Sequence, residues 1–71
     1  MKTEYQFIHF EKIEDSPRHM WWSCHENKTC NELGEVRWFL SWKQYAFWPN
    51  ENSVYSVGCL KDIAAFIAQL T

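Results

Sequence analysis

The chain alternates before it does anything else. From Tyr5 to Ile13, Phe7, His9, Glu11 and Ile13 fall on one side, and Gln6, Ile8, Phe10 and Lys12 on the other, which predicts a strand. Glu14-Asp15-Ser16-Pro17 reads as a turn, because Asp and Ser start turns and Pro fixes φ. His19 to His25 alternates again, with Met20, Trp22 and Cys24 on its apolar side and Trp21, Ser23 and His25 opposite. The polar stretch Glu26–Glu32 reads as a loop. Leu33 to Leu40 predicts a third strand, with Gly34 marking a bulge or a strand start. After Ser41-Trp42-Lys43, Gln44 to Trp48 predicts a fourth, and Pro49–Asn52 is a strong turn signal. Ser53 to Ser56 has room for a short fifth strand at an edge.

Then the period changes. Cys59, Leu60, Ile63, Ala64, Phe66, Ile67 and Leu70 recur at spacings of three and four, the stripe of an amphipathic helix. Ser56 is a natural N-cap, and Asp62 is read as an acid near the helix start. The expected architecture is α+β: a four- or five-stranded antiparallel meander with one C-terminal helix across one face. Residues 1–71 read as one domain, without repeat, low complexity or linker. Rings occur on both sheet faces, so the pattern leaves open which face the helix covers. The uncovered face is expected to hold Trp21, Phe39 and Trp48, with Arg37 and Lys12 nearby.

Composition sharpens this. Five Trp, five Phe and three Tyr in 71 residues are more rings than a small core can take, and most lie between Trp38 and Tyr55. The surplus predicts a contact surface. Nine acids against seven Lys and Arg leave a charge of −2, which offers no footprint for duplex nucleic acid or for an anionic membrane. Met1–Tyr5 is not followed by the apolar core of a leader, and no apolar run approaches the roughly 20 residues that span a bilayer. A cytoplasmic location is expected. On that basis Cys24, Cys30 and Cys59, an odd number, are read as reduced thiols.

The segment Arg37-Trp38-Phe39, Leu40-Ser41, Trp42-Lys43-Gln44-Tyr45, Ala46, Phe47-Trp48-Pro49 resembles a family of small bacterial and phage-encoded proteins of unknown function. That family's pattern is basic-Trp-aromatic, two variable positions, Trp-basic-Gln-Tyr, one position, Phe-aromatic-Pro. The likeness continues through Val54-Tyr55-Ser56, Gly58-Cys59-Leu60, Asp62-Ile63 and Phe66-Ile67. It is looser at Phe7-Ile8 and Trp22-Ser23-Cys24. Leu40-Ser41 stands where that family commonly has Gly-Pro. The resemblance implies a small α+β domain and a mobile-element context, and no activity. By analogy with other small phage proteins, it suggests an inhibitor of a host defence complex, of the anti-CRISPR kind.

The chemistry-bearing residues do not assemble a motif. Cys24, His25, Cys30 and Cys59, with His9 or His19, supply soft ligands, but in Cys-His-x4-Cys spacing without a paired knuckle; no metal or other cofactor is expected. Cys59 near a helix N-terminus is the best nucleophile candidate, yet it lies on the core-facing stripe; no catalytic residue is assigned and no enzyme is expected. Trp, Tyr and Arg dominate binding hot spots, so the partner-binding residues are read as Arg37, Phe39, Trp42, Lys43, Trp48 and Trp21, while Trp22, Trp38, Tyr45 and Phe47 are assigned to the core. The expected function is a non-enzymatic protein-binding module that occludes a host or bacterial target, with Glu32, Glu35 and Glu51 meeting basic surface on it. A homodimer through the open face or an edge strand is a second expected partner. The alternative function is a single-strand nucleic-acid binder that stacks bases on the open face.

Overall fold

Residues 1–15 and 20–70 are described by a computed structural model, in which four strands and one helix follow one another in the order β1 (Ile8–Asp15), β2 (Met20–Glu26), β3 (Glu32–Phe39), β4 (Gln44–Pro49) and α1 (Val57–Ala68). The strands form one antiparallel sheet in the order β1-β2-β3-β4, and the helix lies on one face: the expected α+β meander. The Ser16-Pro17 part of the first predicted turn, and His19, lie outside the described residues. No described helix is long and apolar enough to cross a membrane.

The first strand starts later than the alternation suggests. The chain bends at Gln6 and Phe7 and folds back: Tyr5 N–H donates to the Ile8 carbonyl (2.9 Å), and Phe10 N–H donates to that of Thr3 (2.8 Å). Phe7 is therefore exposed, off the face that holds His9 and Glu11. The N-terminus is also tied to the end of the helix, where the Gln69 amide exchanges hydrogen bonds of 2.8 Å with both the N–H and the carbonyl of Lys2.

Two extra residues set the register. β1 bulges at Ile13, since Lys12 faces Trp22 while Glu14 faces Trp21. β3 bulges at Leu33, since Cys24 faces Gly34 while His25 faces Glu32. The second bulge lets the consecutive Leu33 and Gly34 both be buried. Gly34 itself is required there. A Cβ would stand 2.5 Å from the Phe47 ring and 2.7 Å from the Trp48 carbonyl oxygen.

The helix covers the face that carries Ile8 and Phe10, Trp22 and Cys24, and Val36. With Leu33 and the helical Ile63 and Phe66, these form the core. Phe66 is its centre: it stacks on Phe10 with centroids 3.9 Å apart and meets Trp22 edge-on at 5.4 Å. Tyr45 and Phe47 pack against this core, as expected. Trp38 is a partial exception: it is half-buried and joins through an edge contact with Tyr45 at 5.3 Å. Leu60 also departs from the predicted stripe and is 51% exposed.

No strand forms over residues 53–56. Those positions serve the helix instead. The Tyr55 ring meets Phe47 edge-on at 5.6 Å and its hydroxyl donates to the Leu33 carbonyl. Ser56 is the N-cap, its Oγ accepting from Cys59 N–H at 3.1 Å. Asp62 stands beyond the first turn, which carries no acid.

Candidate functional site

Because the helix takes one face, the other is left open, and alternation fixes what lies on it. Register runs Glu11–Ser23–Glu35–Trp48 in one row across all four strands. The face divides into an aromatic half on β3 and β4 and a polar half on β1 and β2.

The aromatic half is built around Arg37. Its guanidinium lies over the Trp48 ring at 4.2 Å and over the Trp21 ring at 5.1 Å, a cation held between two indoles. Glu35 supplies an ion pair, Oε1 to Arg37 Nε at 3.4 Å. That approach is ionic rather than a formed hydrogen bond: Arg37 Nε, with both indole N–H groups of Trp21 and Trp48, is buried without a hydrogen-bond partner. Phe39 extends the cluster, edge-on to Trp48 at 5.5 Å and to Trp42 at 4.8 Å.

Trp42 and Leu40 project from the turn between β3 and β4. Trp42 N–H donates to the Phe39 carbonyl (3.2 Å) and Lys43 N–H to that of Leu40 (3.1 Å), so four residues reverse the chain. Lys43 closes the turn at φ 52°, a left-handed conformation. A turn this tight leaves its side chains nothing to sink into: Leu40 is 74% and Trp42 66% exposed. Trp42, Phe39 and Trp48, with Ala46 and Phe47, line a groove of about 180 Å³.

Five of the six sequence-predicted contact residues are thus brought together: Trp21, Arg37, Phe39, Trp42 and Trp48. Lys43 sits exposed in the turn itself. The three acids expected to meet a partner differ in their surroundings. Glu35 is engaged by Arg37, and Glu32 Oε1 accepts from Asn50 Nδ2 at 3.1 Å, whereas Glu51 is exposed.

The polar half was not legible from spacing. His9 and His25 face each other across β1 and β2, and their rings stack at 5.5 Å and 15°. The Glu11 carboxylate oxygen Oε2 lies 3.4 Å from Nε2 of each. Ser23 Oγ and His25 Nε2 are hydrogen-bonded at 2.7 Å. The order is not that of a hydrolytic triad, because Glu11 and Ser23 share one imidazole nitrogen while the Cys30 carbonyl holds the other at 3.0 Å. Alternation placed His9 with Glu11 and, separately, Ser23 with His25; only the pairing of the two strands joins them.

The thiols lie elsewhere. Cys24 is fully buried on the helix-covered face, and burial, with Cys59 and Glu32 adding, pushes its thiol up to about 12. Cys59 packs against the same core. Both histidines of the open face are across the sheet from Cys59, so no described imidazole serves it as base. Cys24 and His25, adjacent in sequence, point to opposite faces, and among the described residues no group of three or more His, Cys, Asp or Glu side chains could hold a metal ion.

A larger hollow, about 480 Å³, opens at the other end, between Phe7, Ile8, Leu33, Val54 and Cys59. It is mainly apolar, and polar groups at its rim are engaged: Asn27 Nδ2 donates to the carbonyls of Tyr5 and Gln6, and Glu26 accepts from Thr29.

Comparison of the chain with protein-family models, with curated proteins and with solved structures finds no significant match.

Proposed function

We propose that this chain is a non-enzymatic protein-binding module whose contact surface is the aromatic end of the open sheet face. One observation carries the reading: Leu40 and Trp42, two large apolar side chains, stand exposed beside a groove walled by Phe39 and Trp48. Large rings around a hollow are the composition of binding hot spots, and contiguous exposed apolar surface is uncommon on a chain that has no use for it. The mode of action is occlusion: the turn enters a pocket on the partner while Arg37, clamped by Trp21 and Trp48, keeps the platform rigid.

The resemblance of Arg37–Pro49 to small phage-encoded proteins extends the proposal to a class of target, a bacterial defence complex blocked by the contact. Single-strand binding is supported less well. Arg37 already covers a face of Trp21 and of Trp48, so a base stacking there would have to displace it.

The test is capture from a bacterial lysate on immobilised chain, with elution at low and then high salt. A protein retained through high salt at defined stoichiometry supports the reading. Nucleic acid released steeply by salt would refute it in favour of strand binding. Self-association alone would refute it in favour of a dimer.

A further inference from the structure

The two edges of the sheet are finished differently. β1 is covered where it begins, because the N-terminal segment folds back on it: Glu4 bridges to His9, and Phe10 N–H donates to the Thr3 carbonyl at 2.8 Å. The bulge at Ile13 turns the rest of that edge away from a neighbour. β4 is the last strand on the other side, and among the described residues no strand or bridge pairs with its outer edge. It carries no charged residue, and its register with β3 is unbroken.

The phase of the ladder decides which of its groups face outward. Asn50 N–H donates to the Leu33 carbonyl at 3.0 Å, so Asn50, Trp48 and Ala46 turn their backbone groups toward β3. Phe47 and Pro49 alternate with them and face away. Pro49 has no N–H to present, as suits an edge. The Phe47 N–H and carbonyl meet no partner from outside the sheet among the described residues. The groove over Ala46 is open on this same side. Ala46 faces Arg37 on β3, and Trp48, Phe39 and Trp42 stand around it, but toward the edge there is no wall.

We propose that a second copy of this chain lays its β4 antiparallel against this one, Phe47 facing Phe47 across a two-fold axis, and joins the two four-stranded sheets into one. Three features select that register. First, it lets the two Phe47 residues exchange both N–H···O=C bonds. Second, it sets Ala46 opposite the second copy's Trp48, a small residue against a large one, and that indole supplies the missing wall of the groove. Centring the pair one residue earlier would set Ala46 against Ala46 and leave the gap. Third, it brings the exposed Lys43 of each copy to the exposed Glu51 of the other, so the ends of the paired strands are complementary in charge. Phe47, half-buried in the single chain, gains cover, and association of this kind is a common support for small domains. The same patch is used by both copies, so the assembly closes at two. That the completed groove serves a partner rests on the function proposed above; the dimer itself does not.

The test is sedimentation equilibrium of the purified chain over a range of concentrations, with amide hydrogen exchange read by NMR across the same range. The expected result is a monomer–dimer equilibrium without larger species. Exchange of the Phe47 N–H slows as the dimer forms, while Ala46 and Trp48, bonded to β3, exchange slowly throughout. Lys43→Glu and Glu51→Lys each weaken the dimer about 2- to 30-fold, the worth of two exposed ion pairs, and the two combined restore it. The proposal is overturned if the chain stays monomeric up to about 1 mM, if it grows beyond two copies, if Phe47 exchange does not follow dimer formation, or if the combined swap is no better than either alone. Lysate capture does not enter this measurement, so the two readings fail separately.

Discussion

Phe66→Ala is the most demanding test of how this small domain is held. Phe66 is 0% exposed, stacks on Phe10 at 3.9 Å and meets Trp22 edge-on at 5.4 Å. Truncating a buried Phe to Ala costs about 3–5 kcal/mol, from lost transfer energy and the cavity left behind. Each aromatic pair adds about 0.5–1.5 kcal/mol beyond buried area, which moves this site toward the upper end of that range. A whole domain has roughly 5–15 kcal/mol, and a chain of this size belongs near the lower limit. The substitution therefore removes most of the stability. Urea unfolding followed by Trp fluorescence measures it, and the midpoint falls close to zero denaturant. In thermal melts, where each kcal/mol shifts a domain of this size by roughly 4–8 °C, the midpoint drops by at least about 12 °C. Phe66→Leu, which keeps most of the volume but loses both ring contacts, costs less than Phe66→Ala, about 1–3 kcal/mol. Leu60→Ala, on the exposed edge of the same helix, changes little. A loss below about 1 kcal/mol for Phe66→Ala would refute the placement of the core between Phe10, Trp22 and the helix.

Three further outcomes are expected. Gly34→Ala places a methyl against the Trp48 carbonyl oxygen, a backbone atom 2.7 Å away, and destabilises by about 1–3 kcal/mol in the same urea assay. Ser56→Ala removes the acceptor for Cys59 N–H and costs about 1 kcal/mol. Cys24, its thiol pushed up to about 12, is protected from alkylation at pH 8 while the exposed Cys30 reacts; because the unfolded thiol ionises near 8.5, stability falls as pH rises from about 8.5 toward 12, and is unaffected by this group below that window.

Alternation and the late change of period were enough for the order of elements, the sheet's antiparallel sense and the helix with its Ser56 cap. Alternation also collected Trp21, Arg37, Phe39 and Trp48 on a shared face, because a two-residue period needs no knowledge of partners. What it could not show were the features that pairing decides. The N-terminal fold-back displaces Phe7 from its expected row, through hydrogen bonds between Tyr5 and Ile8 and between Thr3 and Phe10. The bulge at Leu33 buries two neighbours that strict alternation would separate. Tyr55 and Ser56, β-like by composition, are used to hold and cap the helix. The His9–Glu11–His25 cluster lies on two strands, and its rings are held by Asn27 and Cys30, both in the following loop region. None of that has a signature within a single segment.

The central claim is that the exposed rings at the β3–β4 turn exist for a partner and not for the core. Side-by-side lysate capture on the original chain and on Trp42→Ala, with a thermal melt of each, tests it most directly. Trp42 is 66% exposed and keeps one edge contact with Phe39, so its removal costs stability no more than about 1.5 kcal/mol. As a hot spot it carries at least about 2 kcal/mol of binding, roughly a 30-fold loss of affinity. The account predicts a nearly unchanged melt and a salt-resistant protein partner that the variant no longer retains. Equal retention by both chains, or a melt that collapses as that of Phe66→Ala does, would contradict it.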